Sequence, residues 1–436
     1  MSIIENDSDI DSDKEKYISA PTFDLTQLPE SFKTFLNDND INPKIYTIFQ
    51  LPRYIRWNTH LKKDQLPSLD QLKTQLKTDK VWKVKGMNGF FGFILDDNQR
   101  LIDIPAYKNQ QVFGIDISSA IAVEALNITQ NDHILDLCCA PGAKLCMIAN
   151  IIGVEGTGTV TGVDVASHRL ATCRSLVKKY KVGTRVRLYD ADGTTFDIPA
   201  PSRLGSIVLN NDDDSNDNAQ KEKNDLHKGK NKEKKNDDNS KSLNNESNDD
   251  QLVLRKKRKL NERKKPFWAP KLLRFDQPTA TYQLYDKILV DAECTHDGSI
   301  SHIIKYEKWG WEKFEKNFMD INRLNTICDL QRRLMDRGWS LLKKNGYMVY
   351  STCSLTIKQN EENVAWFLEK HKDAILEPIP IINHIDVRLA KIKYSTNNKN
   401  IQDRMNKFCI RFDPLISNTS GFFLAKFKKS SSPFTE

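Results

Sequence analysis

The sequence predicts an α/β fold built on a doubly wound, mostly parallel sheet. Three observations carry that prediction. From about residue 121, short apolar runs alternate with stretches of helical periodicity. The runs are rich in Val, Ile and Leu, as strands buried on both faces require. Acidic or turn-forming residues close each run. Alternating β and α units pack as a layered sheet covered by helices.

The elements follow in order. "HILDL" (133–137) is the first apolar run, and "AKLCMIANIIG" follows with helical spacing and a closing Gly153. "TVTGVDV" (159–165) is a strand. "SHRLATCRSLVKKY" is a helix for which Ser167 is the expected cap. "RVRLYDA" (185–191) is a third strand. Residues 202–265 interrupt the series. They are rich in Asn, Asp and Lys, nearly free of aromatics, and unable to bury enough surface to order themselves. The pattern resumes with "KILVDA" (287–292), a helix near 321–343 and the strand "GYMVYSTC" (346–353). The helix "NEENVAWFLEKH" (360–371) follows, and "GFFLAKFK" (421–428) is expected to be a late antiparallel strand. Before this series, residues 1–20 read as a flexible acidic tail and 21–120 as a small α+β accessory domain; the main domain spans 121–430.

Composition narrows the function classes. No apolar stretch approaches the roughly 18 residues that span a bilayer, and the polar start "MSIIENDSDIDSDKEK" is no signal peptide. A soluble, non-secreted intracellular protein follows, with its eight cysteines reduced. No CxxC pair occurs and the histidines lack zinc-ligand spacing, so no metal is expected. The net charge is +8, but "RKKRKLNERKK" (255–265) alone supplies +7. Bulk charge therefore says little about what the folded part binds.

In a doubly wound sheet, ligands sit beyond the strand C-termini. The first strand leads into "DLCCAPGAK" (136–144), where Pro141 and Gly142 form a tight turn before a helix. Asp164 ends the second strand, placed to accept ribose hydroxyls. Asp192 follows the third, within reach of an adenine edge. These ends suit an adenosine-containing cofactor. NAD would call for GxGxxG and a nucleotide triphosphate for GxxxxGK[ST], and both are absent. S-adenosylmethionine, with a ribose and no phosphate, fits better.

Two thiols leave the strands expected beside the first: Cys294 in "DAECTHDG" and Cys353 in "YSTCSL". Free cysteine usually packs as a small hydrophobe, and that role is assigned to Cys138, Cys139, Cys146, Cys173, Cys328 and Cys409. Cys294 and Cys353 instead face polar, turn-rich segments where a thiolate could be stabilised. A methyl donor beside a thiol suggests methylation of cytosine C5, a carbon that becomes nucleophilic once a thiolate adds to C6. Asp291 stands where a carboxyl group could meet the N3 and N4 edge of the base.

Taken together, these motifs resemble the Sun-type (NSUN, RsmB-like) family of RNA cytosine-5 methyltransferases. The resemblance runs from "LPRYIRWNTHLKK" (51–63) to "RFDPLISNTSGFFLAKF" (411–427), leaving out the insert. "DLCCAPGAK" is similar to the family's "DxCAAPGGKT", and "YSTCSLTIKQNEENV" to "YSTCSxxxxENE". The resemblance implies a Rossmann-like class I methyltransferase sheet preceded by a small RNA-binding domain. It implies that Cys353 attacks, Cys294 assists breakdown of the adduct, Asp291 holds the cytosine edge and Lys144 lines the site. Cys139, Ala140, Pro141, Gly142, Ala143, Lys144, Asp164, Arg169, Asp192 and Asp291 would surround S-adenosylmethionine. Three residues depart from the pattern. Glu293 replaces a usual Pro, bringing a charged side chain beside the base pocket, and Ala143 and Leu145 replace Gly and Thr.

The implied partner is transfer or ribosomal RNA, bound by a protein expected to act as a monomer. Arg53, Arg56, Lys62 and Lys63, with Tyr54 and Trp57 between them, suit backbone contact and base stacking. They equally suit a solvated loop with core aromatics. "RKKRK" reads as a nuclear-import or RNA-clinging run, which places the protein in the nucleus or nucleolus, with the cytoplasm as the alternative. The competing function is a methyltransferase-fold RNA-binding or assembly factor without activity, favoured by Glu293 and Ala143. A DNA substrate is a third option.

Overall fold

The computed structural model describes residues 23–48, 50–95, 99–201, 265–270, 273, 283–316 and 321–431. The acidic tail and nearly all of the 202–265 insert, "RKKRK" included, lie outside the described residues.

Helix α1 (Glu30–Asp38) buries Phe32, Phe35 and Leu36, the one-sided spacing of an amphipathic helix. Phe32 meets Phe314 edge-on at 4.6 Å between ring centroids, so the N-terminal segment packs on the main body. Four short strands then form an antiparallel sheet: β1 (Arg53–Trp57), β2 (Val81–Lys83), β3 (Phe90–Phe93) and β4 (Val112–Gly114). Their order is β2-β3-β1-β4. Between β1 and β2 runs α2 (Leu69–Leu76), started by a reciprocal pair of bonds between Ser68 and Gln71. Ile55, Phe91 and Phe93 pack with α2 on one face of this sheet, while Tyr54 and Phe113 join the core of the main body on the other. With both faces covered, the central strand β1 buries three residues in succession.

Helix α3 (Ile117–Glu124) leads into the main sheet. Its first half is β5 (His133–Asp136), α4 (Ala143–Ile152), β6 (Thr159–Asp164), α5 (Ser167–Lys179) and β7 (Val186–Asp190). The second half is β8 (Tyr285–Asp291), α6 (Ile300–Trp309), α7 (Ile321–Leu341), β9 (Leu342–Thr352), α8 (Glu361–Lys370), β10 (Ala374–Leu376), β11 (Ile410–Phe412) and β12 (Phe422–Lys429). Among the described residues the strand order is β7-β6-β5-β8-β9-β12-β10, with β11 also on β12. Strands β5 to β9 pair in parallel and β12 runs antiparallel to β9, so the predicted doubly wound sheet is present. The order reverses at β5, which opens a crevice at the C-termini of β5, β6 and β8.

Three expectations need correction. Ala166 is the cap of α5, and Ser167 is its first helical residue. The Ser167 hydroxyl donates instead to Asp190, while Asp164 takes the Ala166 N–H. The helix predicted over 321–343 stops at Leu341, because β9 already begins at Leu342. Finally, β9 is not a neighbour of β5; β8 lies between them. Among the described residues, no helix is long and apolar enough to cross a membrane.

One buried ion pair ties the sheet to the loop after β9. Arg411 on β11 and Glu361 at the start of α8 are fully buried and joined by two bonds, of 2.9 and 2.5 Å. The same guanidinium donates to the Leu355 carbonyl at 2.7 Å. Removing one member strands the other charge in a low-dielectric interior. Glu361→Ala is expected to lower the unfolding free energy by about 3–5 kcal/mol. The paired Arg411→Met/Glu361→Leu change should recover part of that loss in urea denaturation. A single variant within about 0.5 kcal/mol of the native protein would show that this pair does not hold the loop.

Candidate active site

The turn after β5 is held from the β6 side. Asp164, buried at the end of β6, accepts from the Ala140 N–H through Oδ2 at 3.1 Å and from the Ala166 N–H through Oδ1 at 3.0 Å. Arg169, one turn into α5, donates to the Ala140 carbonyl at 2.8 Å. Cys139 N–H bonds the Val163 carbonyl at 3.0 Å, so the loop is stitched to its neighbouring strand. Gly142 takes φ +110° as the cap of α4, and a Cβ there would sit 3.2 Å from the Cys173 Cα. Pro141 precedes this glycine and Ala143 opens the helix. The predicted residues 139–144, Asp164 and Arg169 are therefore one bonded unit. Asp192 follows β7 on an exposed turn, where its Oδ1 accepts from the N–H and the hydroxyl of Thr194, both at 2.8 Å. Each carboxylate retains further lone pairs for a ligand.

Lys144 connects this unit to the ends of β8 and β9. Its Nζ lies 2.7 Å from Asp291 Oδ2, and Ser351 Oγ donates to Asp291 Oδ1 at 2.7 Å. Burial disfavours the Lys144 charge, but Asp291, Asp136 and Cys353 outweigh it and hold the ammonium above its usual range. Asp136 is 1% exposed, and neither carboxylate oxygen has a hydrogen-bond partner among the described residues. Burial, reinforced by Asp291, pushes it up to about 8, so it carries a proton at neutral pH.

The two thiols meet although β8 and β9 end in different loops. Cys294 Sγ lies 2.9 Å from Cys353 Sγ, and Cys353 Sγ lies 2.9 Å from His296 Nδ1. Cys294 is buried and Cys353 half-buried. Burial, then the bond to Cys353, pushes the Cys294 thiol well up, which keeps it protonated. The loops are clasped at Gly298, whose N–H bonds the Cys353 carbonyl at 3.0 Å and whose carbonyl accepts from Gly421 at 2.8 Å. A Cβ on Gly298 would lie 2.5 Å from that Cys353 oxygen, so only glycine fits. Asp297 accepts from the Thr295 hydroxyl and from Leu355 N–H at 2.6 Å. Gln359 bonds both Thr295 and Ser354.

Other predicted residues lie elsewhere. Arg56 is 4% exposed, bonded to Asn150 Oδ1 at 2.5 Å and stacked 4.2 Å from the Phe113 ring centroid. Tyr54 is also buried, so neither belongs to a solvent-facing RNA patch, whereas Arg53, Lys62 and Lys63 are exposed. Strand β1 has no solvent face at these positions, and Asn58 and Thr59 bond Asn150 on α4 beside Arg56. Glu293, expected to bring a charge beside the base, points towards solvent. Its side chain is 51% exposed and 3.6 Å from Arg323, while its backbone carbonyl accepts from Gln331 at 2.8 Å. Of the six cysteines assigned to packing, Cys139, Cys146, Cys173, Cys328 and Cys409 are buried and Cys138 is half-buried.

Sequence reasoning missed His296 and Asp136, although both stood inside quoted motifs. His296 is two residues past Cys294, a spacing that places an imidazole near the thiol whenever the chain turns there. Cys294, His296 and Cys353 have donor atoms within 4.8 Å of one another, the one such group among the described residues compact enough to compare with a metal site. The three atoms are joined pairwise by thiol–thiol and thiol–imidazole contacts.

Comparison with known proteins now has a geometry to match. NSun6 from Pyrococcus horikoshii with SFG has the same fold, with a TM-score of 0.56 at 16% identity, covering 94% of this chain and 100% of that one. The tRNA (cytosine(49)-C(5))-methyltransferase of Pyrococcus abyssi is 29% identical over 145 residues, 33% of this chain and 42% of the relative. The ribosomal RNA small subunit methyltransferase B of Yersinia enterocolitica is 32% identical over 94 residues, 22% of this chain and 20% of the relative. The chain thus spans less than half the length of either curated relative. The sequence model of the 16S rRNA methyltransferase RsmB/F family matches residues 123–210 and 235–428, well over half of the 436 residues. The chain belongs to that family.

Proposed function

We propose that this protein is an S-adenosylmethionine-dependent RNA methyltransferase that forms 5-methylcytosine through a covalent adduct on Cys353. The observation that carries the reading is the meeting of Cys353 and Cys294 at 2.9 Å, beside an Asp291 tied to the first-strand loop by Lys144.

The cofactor side fits the residues present. Asp136, Asp164 and Asp192 stand at or just beyond the ends of β5, β6 and β7, and Asp136 has buried oxygens without partners. Gly142 and Gly193 leave room where a Cβ would press on neighbours, in the second case 2.9 Å from the Leu137 carbonyl. Asp164 would take the ribose, Asp192 the adenine edge, and residues 139–144 with Arg169 would frame the rest. When bound, the cofactor supplies an electrophilic sulfonium methyl group for cytosine C5.

The protein's own residues handle the base. The Cys353 thiolate bonds to C6, and the C5=C6 π electrons become available at C5. Asp291 accepts from the N4 amino group, with Lys144 and Ser351 fixing its rotamer, and a proton from water neutralises the charge that the adduct puts at N3. Loss of the C5 proton to a base then restores the double bond and breaks S–C6. The protonated Cys294 donates a hydrogen bond to the departing sulfur, which makes it a better leaving group. Glu293 turns outward to Arg323, so the departure from Pro leaves Asp291 and the Cys294 backbone in place. That argues against an inactive scaffold.

RNA is the proposed substrate, since the relatives are named for transfer and ribosomal RNA. Residues 21–120 are the proposed RNA-binding part, with the exposed Arg53, Lys62 and Lys63 as backbone contacts. The target base must leave its stack to reach Cys353. Nuclear residence rests on the basic run at 255–259 alone.

Two experiments test the assignment. Transfer and ribosomal RNA carrying 5-azacytidine should form a denaturation-resistant complex with the native protein and none with Cys353→Ala; absence of any complex with the native protein would refute the mechanism. Cys294→Ala should accumulate an adduct on ordinary cytosine RNA at least about tenfold above native, because expulsion of the sulfur loses about 1.4 kcal/mol or more of stabilisation. Free turnover of that variant would remove Cys294 from the elimination step.

A further inference from the structure

We propose that His296 is the base that takes the thiol proton of Cys353 as that sulfur attacks, and the acid that returns it when the sulfur leaves. The inference rests on the reading of Cys353 as the attacking thiol. It adds a residue that neither the motifs nor the family resemblance assigned.

The geometry selects Cys353 as the partner. His296 Nδ1 lies 2.9 Å from Cys353 Sγ but 3.8 Å from Cys294 Sγ, which puts the second contact near the limit for a bond to sulfur. A candidate base must first be within reach of the proton it takes, and this ring is. The backbone gives an independent sign. His296 has φ +55°, a left-handed conformation uncommon outside glycine though more frequent for His than for most residues. Its surroundings are the clasp between Gly298 and the Cys353 carbonyl, and the bonds from Asp297 to Thr295 and Leu355. The turn that carries His296 is thus held by the loop that carries its sulfur partner.

The charge balance is consistent with an imidazolium. The groups around the ring are Cys294 and Cys353, the carboxylates of Glu293 and Asp297, and the His302 ring at 5.0 Å between centroids. Burial works against a ring charge, but Cys294 and the two carboxylates outweigh it and push His296 up to about 9. These neighbours favour the protonated ring, a preference lost as pH rises through about 9. An ordinary thiol is only a few per cent thiolate at pH 7.

The proton bookkeeping closes. The Cys353 S–H bond breaks and an N–H bond forms at Nδ1, leaving an ion pair in place of two neutral groups. The sulfur electron pair then forms the bond to C6. On elimination that pair returns to sulfur, the Nδ1–H bond breaks and S–H re-forms. The proton lost from C5 leaves separately, so His296 ends each cycle as it began.

The test reads the thiol directly. Full-length native protein and His296→Asn and His296→Gln variants would be treated with iodoacetamide from pH 6 to 10, and alkylation of Cys353 followed by peptide mass mapping. At pH 7 both variants should alkylate Cys353 about tenfold more slowly than native, with the gap closing to within about twofold at pH 10. Added imidazole should restore part of the rate in the variants. Rates at pH 7 within about twofold in all three proteins would overturn the proposal. If one variant fails to fold by circular dichroism, the other decides. The proposed function fails separately: histidine-dependent alkylation without any RNA adduct would sink the methyltransferase reading and leave the acid–base pair standing.

Discussion

The parallel register of β8 against β9, with Asp291 opposite Ser351, is the constraint on which the site depends. It sets the ends of both strands level, so that the loops leaving them can meet and Ser351 can bond Asp291 directly. A slip of one residue would turn every side chain of one strand to the opposite face. Asp291 would then lose Lys144, and Cys353 would move away from Cys294. The register is itself secured from the far side, because β12 pairs with β9 from Thr352 to Tyr347, and Gly421 before it clasps Gly298.

Charge at the crevice is shared, not isolated. Lys144 bonds Asp291 and also attracts Asp136, so one ammonium serves two carboxyl groups near the two thiols. Asp291 takes the direct contact, and Asp136, deeper, keeps its proton. The sign of that choice is unfavourable for stability. An unfolded Asp ionises near 3.9, whereas Asp136 titrates near 8, so keeping it neutral costs about 1.4 kcal/mol per pH unit from roughly pH 4 towards 8. Folding alone gives no reason to retain such a group with both oxygens unpartnered. A ligand placing a donor or a cation beyond the end of β5 would.

Much of this was legible because local chemistry and global packing agree in the main sheet. "HILDL", "KILVDA" and "GYMVYSTC" are apolar runs that end in polar turns, and all became strands with those turns in the crevice. What failed is physically different. Strand adjacency is not written in a period: β9 has the same signature whether it lies next to β5 or one place further out. Arg56 read as a surface group because Arg usually is, while Tyr54 fitted a surface patch and a core aromatic equally. Their burial depends on a second face packing against the main body, a tertiary fact. His296 stands two residues past Cys294, but the sulfur it bonds at 2.9 Å, Cys353, is 57 residues away in sequence, a contact that only the strand pairing makes.

The departures from the family pattern are best understood through the backbone. A proline at 293 would fix φ and lack an N–H, whereas here the turn is held by other means. The Glu293 carbonyl is gripped by Gln331, which also touches Gln359; Gln359 in turn bonds Thr295 and Ser354 on the two thiol loops. A side-chain network on α7 and the start of α8 therefore supplies the rigidity that a ring would have given. The consequence is that Glu293 is free to carry charge, and its carboxylate is one of the two that favour an imidazolium at His296. On this argument the acidic residue and the histidine three positions later are electrostatically linked, and removing the carboxylate weakens the imidazolium.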